Sequence, residues 1–135
     1  MPKPRVLVAG TRYAIDVLEG VLGDFFEVEG ATSLAEALAR CAWAHVIICN
    51  VHFDDSRMFE FLHALRATPQ GRRLPVICCR VQPEPLSPNV RRAIEHALEA
   101  LGIVVFVDRP LLLERYHASV VDEMLRQLVL DRLPR

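Results

Sequence analysis

Neither sign of charge dominates this 135-residue chain: 16 Lys and Arg stand against 17 Asp and Glu, for a formal net charge of −1. That balance excludes the basic footprint of a nucleic-acid binder and the polybasic patch of a protein held on anionic lipid. Long hydrophobic runs are missing too. No apolar segment approaches the roughly 20 residues that a bilayer-spanning helix needs. Charges interrupt every apolar segment after the short basic start MPKPR, which excludes a signal peptide. Cysteine is sparse, and Cys41, Cys49, Cys78 and Cys79 lie in apolar surroundings without CxxC or Cys/His ligand spacing. They read as reduced core residues of a cytoplasmic protein rather than as a disulfide frame or a zinc site. The five histidines (His45, His52, His63, His96, His117) include no pair at metal spacing. "VLVAGTR" lacks both GxGxxG and the Walker lysine, so a nucleotide fingerprint is excluded as well.

What is present is a globular composition, 52% hydrophobic and 24% charged. One domain of this length buries about two-thirds of its unfolded surface. Five apolar runs, Arg5–Ala9, Phe25–Glu29, His45–Asn50, Pro75–Val81 and Ile103–Val107, are expected as strands. Four are nearly continuous in Val, Ile, Leu and Cys, as in strands covered on both faces. In the second, Phe26 and Val28 alternate with Glu27 and Glu29, the pattern of a half-exposed edge. Helical patterns separate the runs. The first spans about Arg12 to Leu22, with Ile15, Leu18 and Leu22 on one side. Ser33-Leu34-Ala35-Glu36 is a capping box, followed by a stripe at Leu34, Leu38 and Cys41. Asp55 or Ser56 is expected to cap the next helix, whose Met58, Phe59, Leu62 and Leu65 share a face and which stops near Thr68-Pro69. Ser87-Pro88 starts a fourth, with Val90, Ile94, Ala97, Leu98 and Leu101 in phase and Gly102 at its end. The last is expected over about Leu111 to Leu130.

Five strand–helix repeats imply right-handed parallel crossovers, hence a doubly wound, flavodoxin-like α/β sandwich with a five-stranded sheet of order 2-1-3-4-5 and five helices. Such folds place function at the carboxyl ends of the central strands. That criterion selects Gly10, Thr11, Arg12, Asn50 and Arg80, with Arg109 from the fifth strand.

In the order of its elements, and in "VIICNVHFDDSRMFEFLHALR", "LPVICC" and "FVDRP", the chain resembles the CheY-like receiver domain of bacterial response regulators over nearly its whole length. The resemblance implies a two-component signalling function, and it implies where the reactive residues belong. The phosphoryl-accepting aspartate falls on Asn50, and the Mg²⁺-binding acid pair on Gly10 and Thr11. The small hydroxyl residue of the fourth strand falls on Arg80, the lysine before proline on Arg109, and the switch aromatic on Phe106. The family likeness also implies a cis Arg109–Pro110 bond. An amide is a poor nucleophile and carries no charge for Mg²⁺. No cofactor is therefore expected, Mg²⁺ binding being lost with the acids. The chain is expected to be no enzyme but a pseudo-receiver, residues 1–135 forming one receiver-like domain without an output domain. Asp54 and Asp55, four and five residues past Asn50, fit loop solvation and a helix cap. They remain the alternative phosphorylation sites. Arg12, Arg80 and Arg109 could form an anion-binding rim, or one of them could pair with Asp54, Asp55 or Asp108 and lock the loop. Asn50 is expected to be held by hydrogen bonds to its neighbours.

One surface remains to explain. Leu113, Tyr116, Val120, Val121, Met124, Leu125 and Leu128 cover roughly half of the expected last helix, wider than one sheet face requires. The fifth strand is apolar on both sides although it forms an edge. In receiver domains the corresponding face commonly binds partners. Phe106, Tyr116, Val120, Val121, Met124 and Leu125 are thus the expected interface, toward a histidine kinase, another regulator or a second copy in a homodimer. Pro83, Pro85 and Pro88 stiffen the long connection after the fourth strand. Arg91-Arg92 reads as a solvated face.

Overall fold

A computed structural model describes residues 2–103 and 105–134. Five parallel strands, β1 (Arg5–Ala9), β2 (Glu27–Ala31), β3 (Val46–Asn50), β4 (Val76–Arg80) and β5 (Phe106–Asp108), form one sheet of order β2-β1-β3-β4-β5. The Glu27/Glu29 alternation belongs to an edge, as the sequence indicates, although β2 begins and ends two residues later than its apolar pattern. β3 and β4 are buried on both faces, in keeping with their unbroken apolar runs. Of the expected fifth strand, only Phe106 and Val107 carry ladder pairing; Val104 lies outside the described residues.

Among the described residues there are seven α-helices rather than five: α1 (Arg12–Leu22), α2 (Leu34–Arg40), α3 (Met58–Arg66), α4 (Pro69–Arg73), α5 (Pro88–Ala100), α6 (Arg109–Arg115) and α7 (Ala118–Arg132). Two local causes account for the difference. Thr68 ends α3 as expected, but its hydroxyl then accepts from the Gly71 amide and starts one further turn. The expected last helix is broken at Tyr116-His117, both in extended conformation, where the His117 imidazole accepts from the Ser119 amide and caps α7. Leu113 and Tyr116 therefore do not share a helix with Val120 and Met124.

Alternation along the strands divides the core. Leu7, Ile47, Cys49 and Cys78 face α2, α3 and α5, while Val8, Ile48, Cys79 and Val107 face α1 and α7. Vicinal Cys78 and Cys79 thus point to opposite sides, as a strand requires. Side-chain caps at Thr11, Ser33 and Asp108 start α1, α2 and α6 at or just past the strand ends, and Ser87 caps α5 after the longer connection from β4.

Candidate functional site

The carboxyl ends of β1, β3 and β4 meet in a cluster of side-chain amides and hydroxyls. Asn50, fully buried at the end of β3, donates through Nδ2 to the Cys79 carbonyl (3.2 Å) and to Gln82 Oε1 (3.1 Å). Gln82 Nε2 donates to Thr11 Oγ1 at 2.8 Å, and the same oxygen accepts from the Ala14 amide at 3.2 Å. Asn50 is therefore tied to its neighbours through both amide hydrogens, and Thr11 has both lone pairs engaged. Glycine at position 10 has a packing cause. A Cβ there would stand 3.0 Å from Asn50 Cβ, at the tight limit of contact. These residues do not fit Mg²⁺, which needs anionic or free oxygen ligands. Gly10 has no side chain, Thr11 is committed, and Asn50 leaves one neutral oxygen, Oδ1, buried and without a partner, where Mg²⁺ requires several, mostly anionic. Among the described residues no group of three His, Cys, Asp or Glu side chains is arranged to hold a metal.

The three arginines each face their own carboxylate. Arg12 is exposed beside Asp16 at 3.9 Å. Arg109 meets Asp122 of α7 at 3.6 Å. Arg80 is the one that pairs with Asp108: both side chains are buried and their atoms approach to 2.6 Å. Asp108 also accepts from Arg91 and from the Leu111 amide, and Arg80 donates to the Glu84 carbonyl. The result is a closed ion cluster joining β4, β5, α5 and α6. Arg91, expected on a solvated face, is instead part of it and lies 5.6 Å over the Phe106 ring.

Three further expectations are corrected. The Arg109–Pro110 bond is not cis. Both residues occupy the first turn of α6, where proline is favoured and the helix requires a trans bond. This weakens the correspondence of Arg109 with the family's lysine. Neither Asp55 nor Ser56 caps α3; its cap position is Arg57, without a side-chain bond. Asp54, Asp55 and Ser56 all have positive φ (43°, 52° and 66°), a left-handed run that non-glycine residues seldom adopt. Asp54 instead reaches across and accepts from the Leu34 amide at 2.7 Å, at the start of α2. Finally, Val121 and Leu125 are buried against the sheet and offer no interface.

What remains exposed is apolar. Tyr116, Val120 and Met124 retain 49%, 46% and 38% of their surface. A groove of about 410 Å³ runs between the β5 edge and α7, lined by Val105, Phe106, Leu112, Met124 and Leu128. The Cys49, Cys78 and Cys79 thiols are buried, and Cys41 is partly exposed. Burial, then the neighbouring Cys78, raises the Cys49 pKa. Burial and Cys79 raise that of Cys78. Burial pushes Cys79 up to about 12 against the opposing pull of Arg109.

Sequence reasoning missed Gln82 altogether. The available signal was an amide two residues past the end of an apolar strand and directly before Pro83.

No family model matches the chain, and no curated protein matches it significantly. Solved structures do. The chemotaxis protein CheY4 of Vibrio cholerae is similar at TM-score 0.71 and 22% identity, covering 98% of this chain and 100% of that one. A response regulator from Thermotoga maritima follows at 0.68 and 15%, covering 96% and 97%. A CheY-like receiver domain protein from Methanospirillum hungatei stands at 0.68 and 16%, covering 96% of each chain. The chain has the fold of the CheY-like response regulator receiver domains.

Proposed function

We propose that this chain is a receiver-like signalling module that acts without phosphorylation, by binding a protein on the face formed by α5, β5 and α7. The observation that carries the proposal is the commitment of Asn50: its amide hydrogens are bonded to Cys79 and Gln82, in the position where the fold's relatives would need a free carboxylate. An amide so held is no nucleophile, and the oxygen left over, Oδ1, is buried and uncharged. The exposed Val120 and Met124 beside the β5 edge supply the binding face, and a second copy of the chain, a histidine kinase or another regulator is its occupant. Four free cysteines favour the cytoplasm as its compartment.

The experiment is sedimentation of the wild-type chain and of Met124→Glu, each with and without acetyl phosphate and Mg²⁺. The proposal expects wild-type self-association, or binding of a co-purified partner, to be weakened at least tenfold by Met124→Glu and unchanged by the phosphodonor. Assembly that depends on the phosphodonor would instead favour phosphorylation at Asp54 or Asp55.

A further inference from the structure

Gln82 lies outside every motif in the sequence, yet it joins the rim. Its side chain is 9% exposed and makes one bond in each direction, accepting from Asn50 and donating to Thr11. One carboxamide thus fastens the connection after β4 to the ends of both β1 and β3. The same connection is fastened a second time. Arg80, two residues before Gln82, donates to the Glu84 carbonyl two residues after it. Pro83 and Pro85 flank Glu84 and restrict its backbone further. Arg80 passes the constraint to Asp108, and Asp108 passes it to Arg91, whose guanidinium covers Phe106. A continuous chain of bonds therefore leads from Thr11 and Asn50 to the α5–β5 face.

We propose that the Gln82 carboxamide is a built-in tether, a positioning residue that holds the β4–α5 connection, and through Arg80 and Asp108 the α5–β5 face, in a single conformation. A dissociable ligand at such a rim would give two states with populations set by its concentration. A side chain of the same polypeptide stays at high effective concentration whatever the solution holds, so the tethered state is favoured at all times. This deepens the proposed function and rests on it only for the consequence that the face is always ready for its partner.

The test is native-state hydrogen exchange, residue by residue, on the full chain. Gln82→Met keeps the length and removes both bonds. It is expected to speed exchange in Phe106–Asp108 and at Arg80 to Gln82 about tenfold beyond any change at Val8 and Ile48, since local opening then needs two fewer hydrogen bonds. Thr11→Val is expected to reproduce the pattern, while Thr11→Ser, which keeps the oxygen, is expected to restore it. Loss of the α1 cap in Thr11→Val is read separately at Ala14. Leu18→Ala, in the core on the α1 side, provides the comparison for general destabilisation and should speed all sites alike. If Gln82→Met does not fold, the Thr11 pair decides. Equal acceleration at all sites, or no difference between Thr11→Val and Thr11→Ser at β5, would overturn the tether. Sedimentation of the same variants separates the two claims. Local opening with unchanged assembly would support the tether and remove only its consequence for the face, while the partner reading stands or falls with Met124→Glu.

Discussion

The rim at the carboxyl ends of β1, β3 and β4 and the face along β5 and α7 treat their side chains in opposite ways. At the rim, polar groups find partners within the chain: Asn50 Nδ2 meets Cys79 and Gln82, Arg80 meets Asp108, and half-buried Asp54 meets the start of α2, while Asn50 Oδ1 and Arg80 Nε are buried without a partner. Along the face, apolar groups such as Val120 and Met124 stay in water, with none of the described residues covering them. A reactive site needs the reverse arrangement, with polar groups free to meet a ligand. The difference teaches that the polar groups at these strand ends are largely engaged within the chain, while apolar groups along β5 and α7 stay open to water.

Breaking the rim should be costly. Asp108→Ala leaves the Arg80 guanidinium buried without its counter-charge and is expected to cost about 3–5 kcal/mol in denaturant unfolding. Arg80→Met with Asp108→Leu should recover most of that loss, because neither charge is then stranded. Asn50→Asp should cost about 2 kcal/mol near neutral pH, since a carboxylate cannot donate to the Cys79 carbonyl or to Gln82, and Arg80 is already taken. Burial raises the folded pKa of the introduced carboxyl above its unfolded value. Its penalty should therefore be smallest at low pH and grow as pH rises, and acetyl phosphate with Mg²⁺ should leave the variant unlabelled.

The buried thiols sharpen the comparison more mildly. Their folded pKa values lie above those of the unfolded chain, up to about 12 for Cys79. The stability they contribute is thus fully present below the ordinary thiol range and is lost as pH rises from about 9. At pH 10, one unit above the ordinary value of 9.0, the expected loss is about 1.4 kcal/mol per buried thiol, and Cys79→Ala should flatten the alkaline slope. In native protein only Cys41, the one partly exposed thiol, should react quickly with a thiol reagent. The smallest effect belongs to the face. Val120→Asp should change stability by no more than about 0.5 kcal/mol, whereas the same change at buried Val121 should unfold the chain.

Much of the fold is legible because burial writes itself into periodicity. Unbroken apolar runs mark β3 and β4, and Glu27 and Glu29 mark the β2 edge, which yields the strand order. Asn50, Gly10, Thr11 and Arg80 are legible as rim residues because topology alone puts strand ends together. The partners they choose are not. Gln82 has no period to belong to, and its bonds depend on how a proline-rich connection folds back. The break between α6 and α7 is hidden because His117 is an uncommon cap, and the apolar stripe continues across it. The left-handed run at Asp54 to Ser56 is hidden for a related reason: the helix cap the sequence offers locally lost to a bond across the loop to Leu34.

The central claim is that Asn50 and its neighbours form a fixed structure rather than a phosphorylation site. The most direct measurement is the intact mass of the wild-type chain after incubation with acetyl phosphate and Mg²⁺. An unchanged mass is expected. A phosphoryl adduct formed in good yield and mapped to Asp54 or Asp55, with an accompanying change in assembly, would contradict it.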